Sequence, residues 1–249
     1  MHARFHAPSL APGDHLVELP PDEAAHLGRV LRLRAGAEVR VFDGRGHEFI
    51  GRVHLVQGAR AVIEVGEAVA APPEPSVALT LVQAVPKGDA MDQIVRDAVM
   101  LGAAGVVPLV SERAETTIGR IEASGRVARW QRIAVASAKQ CGRAVVPGVH
   151  GPCSLPDALR DFAADRRYLL AEPGLSSLSA AGIGAVRADP VPRSALLVVG
   201  PEGGWTEAEM SMAGKAGCVA LTLGGRTLRA NAAALVGITA LQCAWGDLG

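Results

Sequence analysis

Two glycine loops toward the carboxyl end hold the residues best placed for chemistry. Gly200-Pro201-Glu202-Gly203-Gly204 follows the apolar run Leu196-Leu197-Val198-Val199, and Leu223-Gly224-Gly225-Arg226-Thr227-Leu228-Arg229 follows the next strand-like stretch. The apolar run reads as a buried parallel strand. Adjacent glycines let a ligand come close to the main chain, and loops just past the carboxyl ends of parallel strands are where open α/β sheets bind ligands. Two such loops in succession predict one shared pocket for an anionic ligand or a nucleotide, built largely from backbone; a plain tight turn is the competing reading of either loop alone. Arg226 and Arg229 stand between a strand end and a helix, where they can meet a carboxylate or phosphate or simply be solvated. Asn231, before Ala232-Ala233-Ala234, has N-cap chemistry and an amide that could orient a ligand. Thr206 with Glu209 three residues on forms a capping-box pattern that should start a helix.

Other chemistries lack their residues. There is no G-x-x-x-x-G-K-[ST] loop, no G-x-G-x-x-G and no G-x-S-x-G elbow, which argues against an NTPase, a dinucleotide dehydrogenase and a serine hydrolase. The seven histidines are scattered and the four cysteines show no metal-ligand or redox spacing, so no metal is expected and the cysteines read as small buried hydrophobes in a reduced, cytoplasmic protein. No apolar run is long enough to span a bilayer, so no membrane association is expected.

The elements that must position the loops follow from patterning. Residues 1–70 carry a short helix over Glu23–Leu33 and strands at Val39–Phe42, Phe49–Val56 and Ala61–Val65 separated by glycine turns, which predicts a small β-barrel. Residues 71–75 form a proline-rich linker. Residues 76–249 alternate strand and helix: strands at Val77–Ala84, Gly105–Val110 and Tyr168–Ala171, helices at Asp89–Leu101, about Glu122–Gln140 and Ala232–Trp245. That alternation predicts an α/β layer fold with a mainly parallel sheet. Lys plus Arg and Asp plus Glu both number 25, so net charge makes no case for nucleic acid; local patches can still bind phosphate. Two basic groups exist, His26 with Arg29, Arg32, Arg34 and Arg40, and Arg126, Arg129, Arg132 and Lys139 with Arg143 beyond. Each is a solvated face or, together, a bracket for RNA.

At these residues the chain resembles the RsmE family, the small-subunit ribosomal RNA (uracil-N3)-methyltransferases. The resemblance rests on ordered segments: His26-Leu27-Gly28-Arg29-Val30-Leu31-Arg32, Phe42-Asp43-Gly44, Pro86-Lys87-Gly88-Asp89, Ser111-Glu112-Arg113, Trp130 through Gln140 and Arg143, the two glycine loops, and Gly237-Ile238-Thr239-Ala240-Leu241-Gln242. It implies a PUA-like β-barrel joined to a SPOUT methyltransferase domain with a C-terminal trefoil knot, S-adenosylmethionine as cofactor, a homodimer, and methylation of uracil N3 at U1498 of 16S rRNA in the small ribosomal subunit. It implies cofactor contacts at Leu170, Gly200, Pro201, Glu202, Gly203, Gly204, Leu223, Gly224, Leu228, Asn231 and Ala233. Catalysis would involve Arg226, Arg229 and Asn231, and RNA contacts His26, Arg29, Arg32, Lys87 and Arg143. Uracil N3 must lose its proton around the time of attack, so a base or a stabiliser of the anion is needed, and Arg226 or Arg229 suits the second role. Two departures stand out. The family continues L-R-T-E-T-A where this chain has Leu228-Arg229-Ala230-Asn231-Ala232-Ala233, placing an amide at the carboxylate position, and Asp97 and Met100 occupy the family's Lys and Glu positions in the first methyltransferase helix. Two rivals remain: a SPOUT enzyme acting on another RNA nucleotide, and an RNA-binding ribosome assembly factor with weak turnover.

Overall fold

The structure is a computed structural model and describes residues 2–172, 180–245 and 247–248. The chain divides into two compact units. The first holds residues 1–74 together with 138–146, and the second holds 75–137 and 147–249. The proline-rich stretch thus lies at the division, but the nine residues 138–146 group with the first unit, a return that local patterning did not indicate.

In the first unit, β1 (Arg4–His6), β2 (Leu16–Glu18), β3 (Glu38–Phe42), β4 (Glu48–Gln57) and β5 (Arg60–Val69) form one sheet in the order β1-β3-β4-β5-β2. β1 runs parallel to β3 and the other pairs are antiparallel. Two register shifts in β4–β5, at Phe49/Gly51 and Val53/Leu55, bend the sheet, as extra residues in a ladder do. Phe5, Leu10, Val17, Val39, Val41, Val53 and Ile63 fill one face as a core. The predicted helix begins earlier than expected: α1 (Pro21–Ala25) runs into a wide turn over His26–Val30, because Leu31 N–H donates to the His26 carbonyl five residues back, at 3.0 Å.

Residues 138–146 are held in this unit by polar contacts. The Arg4 guanidinium donates to the Ala138, Lys139 and Arg143 carbonyls at 3.0, 2.9 and 3.1 Å while pairing with the buried Glu48. Lys139 pairs with buried Glu23 at 2.7 Å, and Arg143 pairs with Glu74. Burial pushes the Glu23 carboxyl up, against the pull of Lys139.

In the second unit, β6 (Ala78–Ala84), β7 (Gly105–Val110), β8 (Gly148–Val149), β9 (Cys153–Ser154), β10 (Arg166–Leu170), β11 (Ala180–Gly182), β12 (Ser194–Val199) and β13 (Val219–Thr222) form an all-parallel sheet, ordered β11-β13-β10-β12-β6-β7-β8, with β9 also on β7. The helices are α2 (Ala90–Met100), α3 (Ile118–Ala123), α4 (Arg126–Cys141), α5 (Leu155–Asp161), α6 (Ile183–Ala188), α7 (Glu207–Lys215) and α8 (Ala230–Trp245). Alternation along the strands separates two faces. Val82, Val107, Leu169, Leu196 and Val198 pack with α5 and α7. The opposite face takes α8, where Gly237 lets the helix settle on Leu197: a Cβ there would lie 2.9 Å from the Leu197 side chain. The single long helix expected over Glu122–Gln140 is instead α3 and α4, broken at Ser124-Gly125. Gly125 takes φ +66° and the Ser124 hydroxyl donates to the Ile121 carbonyl at 2.7 Å, ending the first helix.

The Asp43-Gly44 turn of the first unit gives a stability test. Asp43 is 2% exposed; its Oδ1 accepts from the Arg45 and His47 N–H groups at 2.7 and 3.1 Å, and its Oδ2 meets His47 Nδ1 at 2.8 Å. Burial alone would push this carboxyl up, but those hydrogen bonds and the Arg45 charge outweigh it and hold it below its ordinary value. A depressed carboxyl contributes stability that is present above its unfolded value and lost as pH falls through the folded one. Asp43→Asn should therefore cost about 1.5–3 kcal/mol at neutral pH, a gap that closes well below pH ~4. Urea unfolding at both pH values checks it.

Candidate active site

The strand order builds the site. β12 leaves β10 on one side and β13 returns on its other side, so the carboxyl ends of three neighbouring strands, β13, β10 and β12, open side by side. Leu170 pairs with Leu221 of β13, and Leu169 with Val198 of β12. The two glycine loops therefore flank Leu170-Ala171-Glu172 rather than each other. This is the reversal point at which doubly wound sheets hold ligands.

Trp205 fixes the first loop. Its Nε1 donates to the Leu170 carbonyl at 3.0 Å, and the indole lies so close over Gly200 that a Cβ there would sit 2.9 Å from Cε2. Gly204, at φ +70°, closes the turn with its N–H on the Pro201 carbonyl at 3.0 Å. The expected capping box is present and starts α7: Thr206 Oγ1 accepts from Glu209 N–H at 3.1 Å and Glu209 Oε2 accepts from Thr206 N–H at 2.9 Å. Buried Glu209 also reaches across with Oε1 to the Glu112 N–H at 3.0 Å, anchoring the 111–113 segment. Arg113 Nη1 in turn donates to the Gly203 carbonyl at 2.7 Å.

Between the loops lies a cavity of about 250 Å³. Of the residues expected to hold a cofactor, it is lined by Leu170, Gly200, Pro201, Glu202, Gly204, Leu223, Gly224, Leu228 and Ala233. Both Arg226 and Arg229 also line it, exposed and without an ion pair among the described residues. Gly203 does not; it faces the neighbouring cleft. Asn231 does not either. α8 starts at Ala230, so Asn231 is an exposed residue of its first turn and not the N-cap; Ala230, with Ala233 one turn on, takes the place at the cavity wall. Ala171, Glu172, Val199, Trp205, Thr227 and Ala230 also line the cavity. The position of Ala171 and Glu172 just past a strand end was the only signal that could have marked them. Thr227 stood inside the arginine loop.

The predicted RNA contacts fall in different settings. Arg29 and Arg32 are exposed in the first unit, with Arg32 at φ +53°, and His26 lies edge-on to Phe5 at 6.2 Å between ring centroids. Lys87 is exposed in the second unit and pairs with Glu115. Arg143 is a correction: it is 8% exposed and its charge is taken by Glu74, which leaves it a structural ion pair rather than a surface contact. Asp97 accepts from Gln93 at 2.8 Å on its own helix and Met100 is exposed, so the family's ion pairing at these positions is absent here. Among the described residues no cluster of three His, Cys, Asp or Glu side chains could hold a metal.

The lining suits a bound nucleoside with a charged tail. Leu170, Val199, Leu223 and Leu228 supply apolar walls for a flat base. Gly224 exposes backbone, since a Cβ there would stand in open space, and the carboxylates of Glu172 and Glu202 line the same cavity, within reach of hydroxyl or ammonium groups. S-adenosylmethionine fits this donor and acceptor set.

Comparison with known proteins gives the class. Residues 72–242 match the family described as RNA methyltransferase domain, and residues 19–63 match the RNA methyltransferase PUA domain. The protein is an α/β RNA methyltransferase with an N-terminal PUA-like domain. Ribosomal RNA small subunit methyltransferase E of Synechocystis sp. is 32% identical over 91% of this chain and 72% of its own length, and that of Mycobacterium bovis is 30% identical over 88% and 83%. A crystal structure of the Neisseria gonorrhoeae ribosomal RNA small subunit methyltransferase E bound to S-adenosyl methionine is similar over 100% of both chains, with a TM-score of 0.87 and 33% identity. A Legionella pneumophila methyltransferase with bound SAM reaches the same TM-score at 27% identity over 98% of both chains. The chain belongs to the ribosomal RNA small subunit methyltransferase E family.

Trp205→Phe keeps the ring on Gly200 but leaves the Leu170 carbonyl without its donor. It should destabilise by about 1–3 kcal/mol and weaken S-adenosylmethionine binding by roughly tenfold through displacement of the strand end. Thermal unfolding and titration calorimetry read the two effects separately.

Proposed function

We propose that the protein transfers a methyl group from S-adenosylmethionine to uracil N3 in 16S rRNA, at U1498, in the small ribosomal subunit. The carrying observation is the cavity at the β13-β10-β12 strand ends, whose walls are the two glycine loops and whose free cations are Arg226 and Arg229. The bound cofactor supplies an electrophilic methyl group. The chain's part is to hold that group and the uracil in line, which accounts for much of the rate gain in a displacement.

Leu170, Gly200, Pro201, Glu202, Gly204, Leu223, Gly224, Leu228 and Ala233 are the proposed cofactor contacts. Their apolar side chains exclude water from the base and their glycine backbones accept a close approach. Arg226 and Arg229 are the proposed catalytic residues. A guanidinium stays charged across the working pH range and presents planar paired donors, so either can hold the O2 or O4 of a uracil that is losing its N3 proton. The resulting anion is stabilised where its charge develops. The Asn231 amide is not basic enough to accept a proton, and it lies off the cavity lining; its proposed contribution is to the first turn of α8, next to the wall residue Ala230.

His26, Arg29 and Arg32 in the PUA-like unit and Lys87 in the methyltransferase unit are the proposed RNA contacts. The strand order β13-β10-β12-β6, with α8 then packing back over β12 and β6, supports the knotted C-terminal path the family resemblance implies. Leu235 and Val236, at 39% and 40% exposure on α8, support a homodimer through this helix. No helix among the described residues is long and apolar enough to cross a membrane; with the ribosomal substrate, this supports a cytoplasmic site of action.

The amide at Asn231 favours a second reading, an RNA-binding assembly factor with weak turnover. Incubating purified small subunits from a strain lacking the modification with labelled methyl donor decides between them. The first reading requires label in the rRNA as N3-methyluridine on nucleoside mass spectrometry; the second gives binding without label. Arg226→Ala and Arg229→Ala should each leave cofactor affinity within a few-fold, and at least one should lower kcat by about 10²–10³, the loss typical of removing a donor to a developing oxyanion. Asn231→Glu should raise kcat if a carboxylate at that position takes part in proton removal.

A further inference from the structure

We propose that the cleft on the far side of the 200–204 loop from the cofactor cavity is a phosphate track that holds the RNA backbone beside the reacting nucleotide. The inference rests on the methyltransferase reading and extends it from Lys87 to Arg113, Arg120 and Arg126, which the resemblance did not assign to RNA.

The cleft lies wholly within the second unit and has a volume of about 460 Å³. Its cations are Lys87, Arg113, Arg120 and Arg126; its anions are Glu115 and Glu202, so positive charges outnumber negative ones. The cations come from three separate places in the chain: the loop before α2, the 113–116 segment, and the helices α3 and α4. Only two of them are committed internally, Lys87 to Glu115 and one Arg113 nitrogen to Gly203. The Arg120 and Arg126 guanidinium groups have no hydrogen bond or ion pair among the described residues. Thr116 Oγ1 lies in the same wall, is shut off from solvent and has no partner. A buried hydroxyl without a partner is costly, and a phosphate oxygen is an acceptor it can donate to.

Two features identify the ligand chemistry as a nucleic-acid backbone. The cleft is larger than one phosphate needs, and four cations from separate segments line it, which suits a run of phosphodiesters. It also shares Pro201 and Glu202 with the cofactor cavity, so a strand in it is one loop away from where the methyl group is held. Because Arg113 is bonded to the Gly203 carbonyl, a phosphate drawn to Arg113 also bears on that loop.

The test compares full-length Arg120→Gln/Arg126→Gln with Arg187→Gln/Arg193→Gln, which makes the same charge change on exposed residues of α6 and the loop before β12. Unmodified small subunits and a single-stranded oligonucleotide of the target sequence are the probes, with binding measured over a range of KCl concentrations. Removing two phosphate contacts should lower the slope of log K against log[KCl] by about 1.4, from about 0.7 per contact on single strands. It should raise KM for subunits about tenfold with kcat and S-adenosylmethionine affinity unchanged. A slope and KM equal to those of the control pair overturn the proposal. So does competition by polyglutamate with none by RNA, which would identify an acidic protein partner. Absence of methyl transfer by the unaltered protein sinks the proposed activity instead, and the salt slope still reads the cleft.

Discussion

The hydrogen bond from Trp205 Nε1 to the Leu170 carbonyl ties together the parts of the site. Leu170 ends the central strand of three, and Trp205 belongs to the loop after its neighbour. The bond therefore sets how far the 200–204 loop stands from the strand end, and the indole's seat on Gly200 sets its tilt. Everything downstream uses that placement: the Gly204 turn, the start of α7 at Thr206, and the Glu209 carboxylate that holds both its own helix terminus and the Glu112 N–H. A carboxylate that accepts backbone hydrogen bonds on two segments resists movement of either. The loop is thus rigid from both sides, through Trp205 to β10 and through Glu209 and Arg113 to the 111–113 segment. A rigid, pre-shaped loop is what cofactor binding partly through backbone requires.

Much of this was legible in the sequence, for physical reasons that can be named. The glycine loops, the apolar run before the first and the Thr206–Glu209 pair are local patterns, and local patterns report local structure. Strand pairing order is non-local, so nothing in the sequence showed that β10 lies between β12 and β13; the two loops were expected to share a pocket, and they do so across a third strand end that carries Ala171 and Glu172. The same blindness hid the grouping of residues 138–146 with the first unit, which depends on Arg4 finding three carbonyls more than a hundred residues away. The break at Ser124-Gly125 was a weaker omission, because a lone glycine inside a helical pattern is often tolerated. The N-cap reading of Asn231 fails because α8 begins two residues earlier than expected, at Ala230, a boundary that apolar periodicity does not define when the helix opens with Ala230 and Ala232-Ala233-Ala234.

The balanced charge of the chain conceals how unevenly its charges are employed. Arg4, Lys139 and Arg143 spend their charges on Glu48, Glu23 and Glu74 in the first unit. Arg129 is paired with Asp92, whose other oxygen accepts from Trp130 Nε1 at 3.1 Å, so much of the basic face of α4 is structural. Among the cations of the second unit that are left without an ion pair in the described residues, Arg226 and Arg229 line the cavity and Arg120 and Arg126 line its neighbouring cleft. Counting basic residues along the sequence therefore pointed to α4 as a whole, whereas of its cations Arg126 is the one that lines the cleft. Overall neutrality and local phosphate affinity are compatible because screening limits each cation to its own surroundings.

A site made of backbone also explains why this chain can depart from its family at Asn231 and keep the fold around the cofactor. Adenine and ribose recognised by main-chain groups and small apolar side chains depend on loop shape, which Trp205, Glu209 and the glycines enforce, and none of these contacts passes through residue 231. In the proposed reaction, proton removal from uracil N3 depends instead on particular side chains. With Asn231 exposed and off the cavity wall, the permanent charges of Arg226 and Arg229 are what the proposed mechanism relies on to favour the uracil anion. Charge stabilisation of that kind needs no titrating side chain at position 231, although the N3 proton still has to pass to a base or to water.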